Sequence, residues 1–131
     1  MNKLSVIACF LVLLTVGALA ATYLTGSYVI SIPSGTAATG AGTTYFFQGV
    51  YNKYTWQVVV SGGTATAITT NLECSLDGGT TYSQFDQSTN TSGEVRSVAN
   101  KPSLGCRCNA SVYTTNGTTM TCGFVASADP R

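Results

Sequence analysis

Apolar positions along the chain follow two different patterns. Near the N-terminus they are continuous: Leu4 to Leu14, with Val16 to Leu19, form an apolar run behind the single basic Lys3, ending in Ala18-Leu19-Ala20. This is the layout of a secretory signal, with small side chains at the positions a signal peptidase inspects, so residues 1–20 are expected to leave and Ala21 to begin the exported chain. The run is shorter than the roughly 20 apolar residues a spanning helix needs, so contact with a membrane is expected only through this segment, if it stays uncleaved.

Beyond it the pattern changes to alternation with period two, and no stretch carries a helical period. Tyr28, Ile30 and Ile32 alternate with Ser27, Val29 and Ser31, and Tyr45-Phe46-Phe47 resumes a strand after a Pro/Gly/Ala/Thr-rich loop. Trp56, Val58 and Val60 share one face of the next. The clearest run puts Ile68, Thr70, Leu72, Cys74 and Leu76 on one side and Thr69, Asn71, Glu73 and Ser75 on the other. Shorter candidates lie at 81–85 and 94–98, and two longer ones at 104–113 and 118–126. About eight short strands separated by turn residues predict an all-β, antiparallel β-sandwich or jelly roll over residues 21–131, as one domain.

The last two strands carry apolar faces on even numbers: Leu104, Cys106, Cys108, Ala110 and Val112, then Met120, Cys122, Phe124 and Ala126. If they form a hairpin, the loop must be odd in length. Thr115-Asn116-Gly117 fits, with Gly117 left-handed. Cys74, Cys106, Cys108 and Cys122 all fall on inward faces, and an exported chain favours disulfides. Four cysteines allow three connectivities. Cys106 and Cys108 are two apart on one face, too far for a relaxed bond. The preferred pairing joins Cys108 to Cys122, through a two-residue shift of the hairpin register, and leaves Cys106 for Cys74. A zinc site is disfavoured, because Cys-x-Cys lacks the usual ligand spacing and the chain has no His.

Composition narrows the function. Once Lys3 leaves, five Lys and Arg balance five Asp and Glu. With no basic stripe to neutralise phosphates, nucleic-acid binding is disfavoured. The lack of His removes the commonest general base and the usual nucleophile triads. A carboxylate pair of the glycosidase kind would have to come from Glu73 with Asp77 or Asp86 with Glu94, and solvated positions explain all four as well. The chain is therefore read as a non-enzyme, with no cofactor and no metal. Among the aromatics, Trp56 and one of Phe46 or Phe47 are assigned to the core. Tyr51, Tyr54, Tyr82 and Tyr113 are the candidates for an exposed ligand surface. The sequons Asn90-Thr91-Ser92, Asn109-Ala110-Ser111 and Asn116-Gly117-Thr118 matter only in a host that glycosylates them, and are read as coincidental in so Thr- and Asn-rich a chain.

Two local patterns carry resemblances. Ser75-Leu76-Asp77-Gly78-Gly79-Thr80-Thr81-Tyr82 resembles the Asp-box hairpin of sialidases and related β-propellers, in which Ser75, Asp77, Gly79, Thr81 and Tyr82 would be the matching positions. That resemblance implies a folding element, with the Asp tying its own turn and the aromatic packed behind; one copy in so short a chain implies neither a propeller nor sialidase activity. Over about residues 54–127, Trp56-Gln57-Val58-Val59-Val60, Asn71-Leu72-Glu73-Cys74-Ser75-Leu76-Asp77-Gly78, Lys101-Pro102 and Arg107-Cys108-Asn109 resemble a β-sandwich module recurrent in bacteriophage virion proteins. The resemblance implies placement on a tail, baseplate or capsid surface, and adhesion. The function expected from the whole is an exported, non-catalytic structural or adhesive surface module. Its partners would be a surface glycan, a protein or a second copy of itself. The alternative is a small carbohydrate-binding module.

Overall fold

The computed structural model describes residues 27–128; the apolar N-terminal run and its Ala18-Leu19-Ala20 end lie outside them. Seven strands are formed: β1 (Val29–Thr36), β2 (Gly40–Ala41), β3 (Tyr45–Ser61), β4 (Ala67–Ser75), β5 (Ser83–Ser88), β6 (Gly93–Thr114) and β7 (Thr119–Ser127). All pairings are antiparallel, in the order β1-β7-β3-β6-β4-β5, with β2 beside β6. The described residues are all β, as the alternation predicts. Four of the eight expected strands merge into two. The segments 45–47 and 56–60 are ends of β3, and 94–98 and 104–113 are parts of β6. Irregular pairing at 47–52 of β3 lets these long strands continue where their alternation breaks.

Long strands let one hydrogen-bonded sheet supply two layers. The first part of β6 pairs with β3 (Lys53↔Ala99 to Val59↔Gly93), and the last part pairs with β4 (Cys74↔Cys106 to Ala67↔Thr114). Because β6 passes from one layer to the other, β1, β7 and β3 come to lie over β4 and β5. Ser31 on β1 ties the far edge to β6: its Oγ accepts from the Cys108 N–H at 2.8 Å and donates to the Thr43 carbonyl at 2.8 Å. Between the layers, Tyr54, Trp56, Val58, Leu72, Met120, Phe124 and the four cysteines are buried.

Both preferred disulfides are present, but one forms for a different reason than the hairpin argument supplied. Cys74 and Cys106 are direct cross-strand partners in one layer, with Cα atoms 4.1 Å apart. Cys108–Cys122 spans 6.2 Å between strands that do not pair at all. β7 lies between β1 and β3, while the last part of β6 already has β4 on one edge and β2 on the other. The expected β6–β7 hairpin is thus replaced by a connection that crosses between layers, and the second disulfide staples them. Gly117 in that connection is left-handed, with φ 73°.

A second correction comes from a bulge. Between Thr69↔Val112 and Thr70↔Ala110 the register shifts by one residue, which turns the following side chains over. Val112, expected inside, is 43% exposed, and Tyr113, expected outside, is buried. A register shift in β1 likewise leaves Tyr28 and Ile30 exposed while Val29, Ser31 and Ile32 are buried. Leu76, also expected inside, falls just past the end of β4 and is exposed in the turn.

Candidate ligand surface

The four tyrosines do not form one surface. Tyr54 is 2% exposed and its hydroxyl bonds to Ser103 and to the Tyr51 carbonyl, so its assignment to an exposed surface is corrected to core. The signal was in the sequence, since Tyr54 shares parity with Trp56 and Val58. Tyr113 is buried too, its hydroxyl 2.9 Å from the Thr118 Oγ1; here the bulge hid the answer. Tyr51 is half-buried and stacks on Phe47, ring centroids 4.8 Å apart. Tyr82 is half-buried against the turn that follows β4.

That turn is organised around Asp77. Its carboxylate accepts from the Thr81 N–H (2.9 Å), the Thr81 hydroxyl (2.6 Å) and the Ser75 hydroxyl (2.7 Å). Ser75 Oγ in turn accepts from the backbone N–H groups of Asp77 and Gly79. With the Thr80 hydroxyl donating to the Asp77 carbonyl at 3.2 Å, six bonds among residues 75–81 close the chain on itself, as short Asx and Ser turns do. Bonds from Thr81 and Ser75 hold the Asp77 carboxyl far below the usual carboxylate range. Tyr82 lies behind the turn, its hydroxyl 2.7 Å from Thr44 Oγ1, with the Arg107 guanidinium 3.7 Å from its ring centre.

From Arg107 a chain of polar contacts runs across the outer face of β6 and β4. Arg107 meets Glu73 Oε2 at 2.9–3.0 Å, and Glu73 Oε1 accepts from Asn109 at 2.7 Å. The next row continues with Gln87 donating to Asn71 and Asn71 donating to Ser111. Phe46, from β3, is 45% exposed, and its register partner is Gly105.

A separate network joins the two layers. Asp86 on β5 accepts from the Trp56 indole N–H at 2.9 Å and from Arg96 at 2.8 and 3.0 Å; Arg96 also reaches Glu94, which accepts from Ser88. Partial burial would raise the Asp86 carboxyl, but the bonds from Arg96 and Trp56 outweigh it and leave the group below the ordinary range. No motif marks this network in the sequence, because its members come from β3, β5 and β6.

Of the carboxylates considered for catalysis, Glu73 is paired with Arg107 and Asp77 with its own turn, whereas Asp86 and Glu94 are brought together on one arginine, Arg96. The four cysteines, as disulfides, offer no thiolate to a metal. Two surface grooves, of about 240 Å³ beside Lys53, Thr55 and Ala99 and about 190 Å³ beside Leu76, Phe85 and Pro102, are smaller than the roughly 300–1,000 Å³ usual for enclosed small-molecule sites.

No protein-family model matches the chain, and a search of curated proteins finds no match. Among solved structures it is similar to the SPBc2 prophage-derived protein YomS, at 14% identity and a TM-score of 0.49, over 77% of this chain and 92% of that one. It is also similar to the Yersinia pseudotuberculosis-derived mitogen YPM, at 10% identity and a TM-score of 0.37, over 81% and 90%. Neither similarity carries a functional argument.

Proposed function

We propose that the chain is an exported, non-catalytic structural or adhesive module whose outer surface is its working part. The observation that carries this reading is where the charge goes. All four acidic side chains among the described residues are bonded to neighbours within the fold, and Asp77 and Asp86 are shifted down, opposite to what a general acid needs. What is left for contact is an outer surface of Thr, Ser, Asn and Gln with isolated exposed rings and aliphatic side chains. Two disulfides fit an oxidising compartment, extracellular or periplasmic, and brace a small fold against conditions there. The resemblance of residues 54–127 to virion modules supports a role for such a domain on a phage or cell surface.

Size-exclusion chromatography with light scattering on the oxidised protein, followed by binding to intact cells and to virions, tests the proposal. A defined oligomer, or a monomer that binds either particle saturably, supports it. Turnover of any glycan or ester substrate that disappears in Glu73→Gln or Asp86→Asn overturns it.

A further inference from the structure

Phe46 sits in a place that needs explaining. Its two chain neighbours, Tyr45 and Phe47, pack against or into the core, whereas Phe46 lies on the outer face of the β6 layer and keeps 45% exposure. A Cβ on Gly105 would come within 2.5 Å of its Cδ1, so the absence of a side chain there lets the ring settle on the strand. A Cβ on Gly79 would come within 3.0 Å of Phe46 Cζ and 2.9 Å of the Tyr82 hydroxyl, so both aromatics converge on one small residue.

Beside this ring the same face carries a prearranged polar ladder. Gly105, Arg107 and Asn109 follow one another on the outer side of β6, opposite Ser75, Glu73 and Asn71 of β4. Successive rows are two residues apart, about 7 Å. The ladder is held before any ligand arrives, because Tyr82 supports Arg107 from one side and Glu73 from the other, and Glu73 also holds Asn109. Arg107 and Asn109 thereby place a guanidinium and an amide, donors and an acceptor, on adjacent rows of the half-buried outer face.

We infer that Phe46, Tyr82, Arg107, Glu73 and Asn109 form a binding site for a neutral oligosaccharide, an inference that rests on the adhesive reading above. The apolar face of a sugar ring would lie on Phe46, and hydroxyls of the next ring, each both donor and acceptor, would meet Arg107 and Asn109. Glu73 cancels the charge of Arg107, which removes the attraction that a sulfated or sialylated glycan would need. Locked side chains lose little freedom on binding, which suits a shallow site.

The test is binding of the oxidised full-length secreted protein to immobilised neutral, sialylated and sulfated oligosaccharides, with Phe46→Leu, Phe46→Ala, Asn109→Ala and Tyr51→Ala beside the wild type. The inference expects saturable binding to neutral glycans that weakens at least about tenfold in Phe46→Ala and Asn109→Ala and stays unchanged in Tyr51→Ala. Phe46→Leu still covers Gly105, so loss of binding in that variant with an unchanged melting temperature assigns the effect to the ring. Preference for acidic glycans, or neutral binding indifferent to Phe46→Leu and Asn109→Ala, overturns the inference. Cell or virion binding without any glycan binding overturns it and leaves the adhesive reading standing; loss of all binding together with a clean monomer removes both.

Discussion

Replacing Asp86 by Ala removes the acceptor of the Trp56 indole and two of the three acceptors of Arg96, leaving it Glu94. Trp56 is 1% exposed, so water does not readily replace the lost partner, and an unsatisfied buried donor costs about 1–3 kcal/mol. The Arg96 side chain is 38% exposed and can turn to solvent, so its ion pair is discounted to about 0–1 kcal/mol. The sum is about 1–4 kcal/mol, a shift of about 0.5–2 M in the urea midpoint for a slope of about 2 kcal/mol/M. Asp86→Asn keeps an acceptor for Trp56 and loses the charge, so it should cost about half as much. The pH dependence has a definite sign. Asp86 is depressed in the folded state, so its contribution is complete above the unfolded value of about 3.9 and is lost as pH falls through the lower folded value. The gap between wild type and Asp86→Asn should therefore be level at neutral pH and shrink on acidification below about pH 4. Equilibrium urea unfolding followed by Trp56 fluorescence, the chain's single tryptophan, measures both. An Asp86→Ala midpoint within about 0.2 M of wild type, or a gap that widens in acid, would refute the reasoning.

The disulfides can be mapped by non-reducing tryptic digestion after denaturation, because cleavage after Arg107 separates Cys106 from Cys108; the peptide carrying Cys74 joined to the one carrying Cys106, and a separate peptide holding Cys108 and Cys122 in an internal disulfide, are expected. In the loop-closure model, double Ala replacement of Cys108 and Cys122 should cost about 3 kcal/mol, and that of Cys74 and Cys106, which closes a longer loop, somewhat more. Asp77→Ala should speed hydrogen exchange at the Thr81 amide, which loses its acceptor, while leaving exchange in β7 unchanged; equal exchange at Thr81 would show that the turn does not depend on the carboxylate. Gly117→Ala has open space around it and should cost only the left-handed backbone term, about 1–2 kcal/mol, whereas Gly93→Ala must also push against the Val58 carbonyl, 2.5 Å from the new Cβ. Thermal melts in which Gly117→Ala is the worse of the two would contradict the packing around Gly93.

The sequence by itself determined the all-β class, the inward set Ile68, Thr70, Leu72 and Cys74, the burial of Trp56, the left-handed Gly117 and the self-bonded turn around Asp77. These follow from interactions within one strand or one turn: alternation at period two, and side chains reaching their own backbone a few residues away. The parity that Tyr54 shares with Trp56 also points inward, against its assignment to an exposed surface, and the structure decides for the core. Only the tertiary structure decided that β7 joins β3 and β1 instead of β6, because strand pairing is a competition among all edges and the edges of β6 are taken by β2, β3 and β4. It also decided the facing of Val112 and Tyr113, because a bulge costs one residue of register and leaves no distinct residue type behind. The pairing of Cys108 with Cys122, the Asp86–Trp56–Arg96 network and the meeting of Phe46 with Tyr82 over Gly79 depend on strands far apart in the chain brought together by the passage of β6 between two layers.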